Sequence, residues 1–151
     1  MSKDTLLKLD FGLSEEVKFL NLLRLHLKDT NIKSSKTTNN FCCVDFDIVN
    51  EDNNKKIVLE LKSRTIDLNK KPSFLIACKK LYKIKMEYEN NFCLLIWSDI
   101  YKNVFYLIYN DELLKSPHSV ICGQDCFFID KNKCFSGVDG LITTIKTLLN
   151  Y

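Results

Sequence analysis

The chain has 151 residues, 46% of them hydrophobic and 27% charged, with a net charge of +3. That is the composition of an ordinary globular protein, and the length suits one domain, spanning residues 1–151, with a true core. Four Gly and two Pro leave little room for disordered linkers, no apolar run approaches a membrane span, and MSKDTLLKLDFG has no signal-peptide core, so a soluble, intracellular protein with no membrane partner is expected.

The positive charge is almost all lysine, with Arg24 and Arg64 the only arginines. This permits sequence-neutral phosphate contacts more readily than bidentate base reading, although an AT-rich genome gives the same bias. Seven cysteines without an export signal read as thiols in a reducing compartment, with Cys42, Cys43, Cys78 and Cys93 as small buried hydrophobes inside apolar runs.

Ser14 is a suitable N-cap, followed by Glu15 and Glu16 in the acid-favouring first turn, and the helix should reach about Asp29. Its apolar stripe includes Leu13, Val17, Phe19, Leu20, Leu23 and Leu27. Glu16 falls near the middle of that stripe, so it is either an acid aimed at a site or a dipole-favoured acid at a frayed helix end. His26 lies at the stripe's edge and reads as structural. Asn31–Asn40 is a polar loop, with room for one short strand near Asn31–Ser34.

Phe41–Val49 and Lys56–Ser63 alternate as strands, and the Asn/Asp-rich segment Asn50–Lys55 makes them a hairpin. Val44, Phe46 and Ile48 form the apolar set of the first strand, opposite Asp45 and Asp47. On the second strand Glu60 and Lys62 share one face, while Leu59 and Leu61 fill the other. Two acids beside Glu60 and a lysine can hold a divalent cation and activate a water; alternating acids and lysines can equally form an ion-pair ladder.

The segments Val44-Asp45-Phe46 and Leu59-Glu60-Leu61-Lys62, at this separation and after a helix, resemble the two half-motifs of the PD-(D/E)xK nuclease superfamily. The resemblance implies a restriction-endonuclease-like α/β fold, a central mixed sheet of four or more strands flanked by helices. It also implies metal-dependent hydrolysis of DNA phosphodiesters, with RNA left open. Asp45 and Glu60 would bind Mg2+ or Mn2+, assisted by Glu16 or Asp47, and Lys62 would be the catalytic lysine. Small members often act as homodimers or with a partner protein. The alternative is a catalytically inactive member serving as a nucleic-acid-binding or assembly subunit.

Beyond the motif, Thr65–Lys71 is a lysine-bearing connection, and Pro72 opens a second expected helix to about Glu89. Lys79, Lys80 and Lys83 give that helix a basic face, which with Arg64 is the candidate phosphate-tracking surface, or only a solvated face. Lys79, at the apolar boundary, is the lysine expected to approach the site, as one does in some members of the superfamily. Phe92–Trp97 and Val104–Tyr109 are apolar strands, whose Trp97, Tyr106 and Tyr109, with Tyr101 between them, suit core packing better than base stacking. Val120–Cys122 and Phe127–Asp130 are short edge strands, and Ser136 caps a closing helix through Leu149. His118, Cys122, Cys126 and Cys134 are zinc-ligand types, but their spacing is not a paired CxxC pattern and Cys122 falls in an apolar strand.

Overall fold

The computed structural model describes residues 2–37 and 44–151 of the chain. Cys42, Cys43 and the Phe41–Cys43 start of the first motif strand lie outside the described residues.

Helix α1 spans Lys3–His26, so Ser14 is interior to it and not its cap. Residues 3–11 are helix formers with no proline or glycine to stop propagation, and they extend the helix ahead of the capping signal. Only the C-terminal half of the expected stripe reaches the core: Phe19, Leu23 and Leu27 are buried, whereas Leu6, Leu7, Leu13 and Val17 are exposed.

Strands β1 (Ile32–Lys36), β2 (Phe46–Asn50) and β3 (Lys55–Arg64) follow as an antiparallel meander. The β2–β3 turn uses Asn54 at φ 60°, a left-handed conformation that asparagine tolerates. Next come β4 (Ser73–Ala77) and α2 (Cys78–Glu87). The chain then continues through β5 (Phe92–Asp99) and β6 (Val104–Ile108). Strands β7 (His118–Ile121), β8 (Gln124–Asp130) and β9 (Phe135–Ser136) precede helix α3 (Val138–Leu148).

Six strands form one mixed sheet in the order β1-β2-β3-β5-β6-β9, in which only β3 and β5 run parallel. The second helix of the sequence reading is thus split: Phe74–Ala77 is a strand, and the helix begins at Cys78. A short apolar run does not distinguish helix from strand by periodicity, and here β4 finds a partner in β8. Strands β4, β8 and β7 make a second sheet, so Val120–Cys122 and Phe127–Asp130 mark real strands but not edges of the main one. Cys122 and Gly123 form the two-residue tip of the β7–β8 hairpin at φ 50° and 80°, which takes Cys122 out of the strand. The cap of α3 is Gly137 at φ 97°, with Ser136 one residue earlier in β9.

The large sheet is covered on both faces. One carries Phe46, Ile48, Leu59, Leu61 and Ile96 against α1 and α3. The other carries Val58, Leu95, Trp97 and Phe105 against β4, β8 and α2. Trp97 is fully buried and donates its indole N–H to the Leu75 carbonyl at 3.0 Å, so it is a core anchor and not a base-stacking platform. Tyr106 is buried as well. Among the described residues, no helix is long and apolar enough to cross a membrane.

Because β3 is sandwiched, all of Ile57–Leu61 is buried, and that run includes Glu60 at 2% exposure. A carboxylate does not sit in such a strand without compensation from charged or polar partners. Asp99, at the end of β5, shows complete compensation: it accepts N–H bonds from Leu68, Tyr101 and Asn103 and from the Asn103 amide, all at 2.8–2.9 Å.

Candidate active site

The β2–β3 ladder pairs Asp47 with Val58 and Phe46 with Leu59, and one step further it would set Asp45 opposite Glu60. There the ladder slips. The Asp45 N–H donates to Leu59 O at 2.9 Å, and the Asp45 carboxylate accepts the Leu61 N–H at 2.8 Å, taking the place of a backbone acceptor. The slip also turns Val44 to the second core face, away from Phe46 and Ile48, with which simple alternation had grouped it. Thr37 holds the departing strand through its hydroxyl to Val44 O at 2.8 Å.

Glu60 uses its two oxygens differently. Oε1 meets Lys62 Nζ at 3.0 Å and Lys80 Nζ at 3.5 Å. Oε2 is buried without a hydrogen-bond partner. Glu16 reaches the same place from α1: its side chain hydrogen-bonds to Asp45, and its Oε2 lies 2.7 Å from Lys36 Nζ. A hydrogen bond between two carboxyls needs a proton. Burial foremost, then the charge of Glu60 and that of Glu16, push the Asp45 carboxyl up to about 8, against the pull of the Leu61 N–H. Lys36, Lys62 and Lys80 match the three acids in number, so the cluster is not short of positive charge; what it leaves is one buried oxygen of Glu60 without a partner.

Beside it opens a cleft of about 600 Å³, lined by Lys62, Ser63 and Arg64 of β3 and by Leu7, Lys8, Phe11 and Glu16 of α1. The structure therefore brings together Glu16, Asp45, Glu60 and Lys62. The three carboxylates do not close into a common cage with all ligand oxygens within 4.8 Å of one another.

Asp47 shares the face of Asp45 but pairs with Lys56 at 3.2 Å, one pleat away from the cluster. Lys79 and Lys83 are exposed on α2, and it is Lys80 that reaches Glu60, not Lys79. The helix starts six residues later than Pro72 suggests, which leaves the strand β4 in place of its first turns and makes Lys80 the third helical residue. Arg64 is not a free phosphate contact: its guanidinium donates to Ser63 O at 3.3 Å and Leu75 O at 3.4 Å. Lys36 escaped the sequence reading because nothing local to β1 shows that it faces Glu16. His26 bonds within its own helix, its Nδ1 3.0 Å from Leu22 O.

No family model matches the chain, and no curated protein matches it. Among solved structures it is similar to the Holliday junction resolvase Hjc from the archaeal hyperthermophile Archaeoglobus fulgidus, with a TM-score of 0.44 and 12% identity over 77% of this chain and 87% of that one. At that distance the chain is an α/β protein with a six-stranded mixed sheet, and its function rests on the chemistry of the cluster itself.

Proposed function

We propose that this protein is a nuclease of the PD-(D/E)xK type, hydrolysing DNA phosphodiesters with Mg2+ or Mn2+ at the Glu16–Asp45–Glu60–Lys62 cluster, beside the cleft that Glu16 and Lys62 line. The observation that carries this reading is Glu60: a carboxylate almost fully buried, with one oxygen unpartnered and a second acid, Asp45, beside it held protonated by burial foremost and then by the Glu60 charge. A buried carboxylate oxygen without a partner is costly, and perturbed acids beside a cleft are where function concentrates.

Hard oxygen donors on a partly open cleft suit Mg2+ or Mn2+. Asp45 and Glu60 would hold the ion, with Glu16 assisting from α1. When bound, the ion supplies a water of lowered pKa and neutralises charge building on the phosphate. Lys62, on the same face as Glu60 and lining the cleft, orients the attacking water and stabilises the phosphate oxygens. Lys80 provides a second ammonium at the Glu60 oxygen and swings toward the phosphate once that oxygen is engaged. Lys79 and Lys83 extend the positive surface along α2 for backbone contacts. The chain acts in this reading as one domain, with a second copy or a partner protein supplying the remaining substrate surface.

A second reading has support of its own. Both lysines lie on Glu60 Oε1, and the three carboxylates are not drawn into one 4.8 Å cage. That pattern also fits a catalytically inactive nuclease-like fold that binds nucleic acid or assembles with another subunit. Cleavage assays with Mg2+ or Mn2+ on linear duplex, single-stranded and four-way-junction DNA, run beside Glu60→Gln and Lys62→Ala, separate the two. Metal-dependent cutting that both substitutions abolish is the expected result. Binding without cutting by the wild-type protein gives the second reading its place.

A further inference from the structure

The sequence offers His118, Cys122, Cys126 and Cys134 as ligand types, and the fold does not assemble that set. Cys122 is at an exposed hairpin tip, and Cys134 sits beside the Asp130 carbonyl at 3.7 Å. What the fold assembles is different. Cys78, His118 and Asp125 place one ligand atom each within 4.8 Å of one another, and they are the one such trio among the described residues.

Three elements converge to make it. Cys78 is the first residue of α2. His118 pairs with Phe127 across the β7–β8 ladder, and Asp125, two residues before Phe127, is its diagonal neighbour on the same face. The His118 Nδ1 lies 3.1 Å from an Asp125 carboxylate oxygen, and the Cys78 Sγ lies within 4.8 Å of the ligand atoms of both. Phe127 floors the group, with the His118 ring edge-on to it at 6.1 Å and Tyr82 of α2 against it at 6.2 Å.

We infer that Cys78, His118 and Asp125 form a binding site for a borderline-soft cation of the Zn2+ class, with a fourth position open to water. A thiolate, an imidazole and a carboxylate are the donor set that Zn2+ prefers, and at its bond lengths tetrahedral ligands lie roughly 3.3–3.7 Å apart. The trio needs only small side-chain adjustments to reach that spacing. The thiolate disfavours Mg2+, so this site and the carboxylate cleft select different ions. A divalent cation there would also offset the charge of the Asp125 carboxylate that faces the buried thiol. Cys78 is buried while His118 and Asp125 are exposed, so the ion enters from the solvent side.

A cysteine nucleophile with a His–Asp pair would use the same residue types. It would need a substrate cavity, and none of the five principal cavities is lined by any of the three. A metal needs no more room than its ligands provide. Bound there, it ties the start of α2 to the β7–β8 hairpin, two residues before the Lys80 that reaches Glu60.

The test uses the full chain, purified with chelator under reducing conditions and titrated with Co2+ and then Zn2+. The expected result is one equivalent of Co2+ with a thiolate-to-metal charge-transfer band, displaced by Zn2+, together with a Zn2+-dependent rise in melting temperature. Cys78→Ser abolishes the band and weakens Zn2+ binding by at least about tenfold, as do the exposed, fold-neutral changes His118→Ala and Asp125→Asn, while Cys122→Ser leaves it intact. Asp45→Asn also retains the band, which separates this site from the cleft. No charge-transfer band in the wild type, or a band that survives both Cys78→Ser and His118→Ala, overturns the assignment and leaves an ion pair beside a thiol.

Discussion

Asp45→Asn keeps the shape of the side chain and leaves an amide oxygen for the Leu61 N–H, but it removes a group that folding makes harder to ionise. In the folded chain that carboxyl titrates at about 8, against an ordinary 3.8. Between these values the folded state holds a proton that the unfolded state has released, so stability falls as pH rises, by up to about 1.4 kcal/mol per pH unit. The cost is absent below the lower value and complete above the upper one. Allowing for relaxation around a cluster of acids, it amounts to about 2–4 kcal/mol at pH 8. Urea unfolding at pH 4, 6 and 8 in chelator should find the variant more stable by that margin at pH 8 and level with the wild type near pH 4. Mn2+ should then raise the stability of the wild type and not that of the variant. Equal stabilities at pH 8, or a gap that does not shrink on acidification, would refute the view that burial beside Glu60 holds Asp45 protonated in the folded chain.

Lys80→Met removes one of the two ammonium groups from Glu60 and should tighten Mn2+ binding by about tenfold, or about 1.4 kcal/mol, in a metal titration without DNA; weaker binding would mean that Lys80 organises the site and does not compete for it. Asp99→Ala strands three backbone N–H groups and should cost about 2–4 kcal/mol in urea unfolding. Burial raises the Asp99 carboxyl, but the bonds from Asn103, Leu68 and Tyr101 outweigh it and leave the group lowered, so its contribution is present above the unfolded-state value and is lost as pH falls through the folded one. A methyl group on Gly140 would stand 2.6 Å from the Tyr106 hydroxyl, so Gly140→Ala should destabilise the wild type by about 1 kcal/mol yet stabilise a Tyr106→Phe background by about 0.5–1 kcal/mol. Additive effects in that double-mutant cycle would show that the helix shifts to accommodate the methyl.

The motif hairpin was legible because two strand-like runs flank an Asn/Asp-rich turn. β2 alternates, while the Ile57–Leu61 stretch of β3 is apolar apart from Glu60, and an acid in such a run has to be accounted for. The face shared by Glu60 and Lys62 followed from strand geometry alone. The slip at Val44–Asp45 did not, because a bulge depends on the partner strand and leaves no mark on its own residues. β4 was misread because a short apolar run, Phe74–Ala77, close behind a proline suits a helix start as well as a strand, and its partner β8 lies about 50 residues further on. That one error moved the expected lysine from Lys80 to Lys79. The true start of α1 was hidden by Ser14, whose capping signal sits inside a longer run of helix formers. The Cys78–His118–Asp125 trio was beyond local reading altogether, since its members come from three elements whose register only the assembled sheet defines.

The turn of the motif hairpin is fastened from far away. Asn50 and Asn53 both donate their side-chain amides to the Leu149 carbonyl at 3.0 Å, and Asn50 is buried in doing so. The β2–β3 hairpin can pair by itself within microseconds, since its contacts are local. The clamp on its turn, however, closes a loop of 99 residues. During synthesis the strands that carry Asp45 and Glu60 therefore emerge well before the carbonyl that fastens the turn between them.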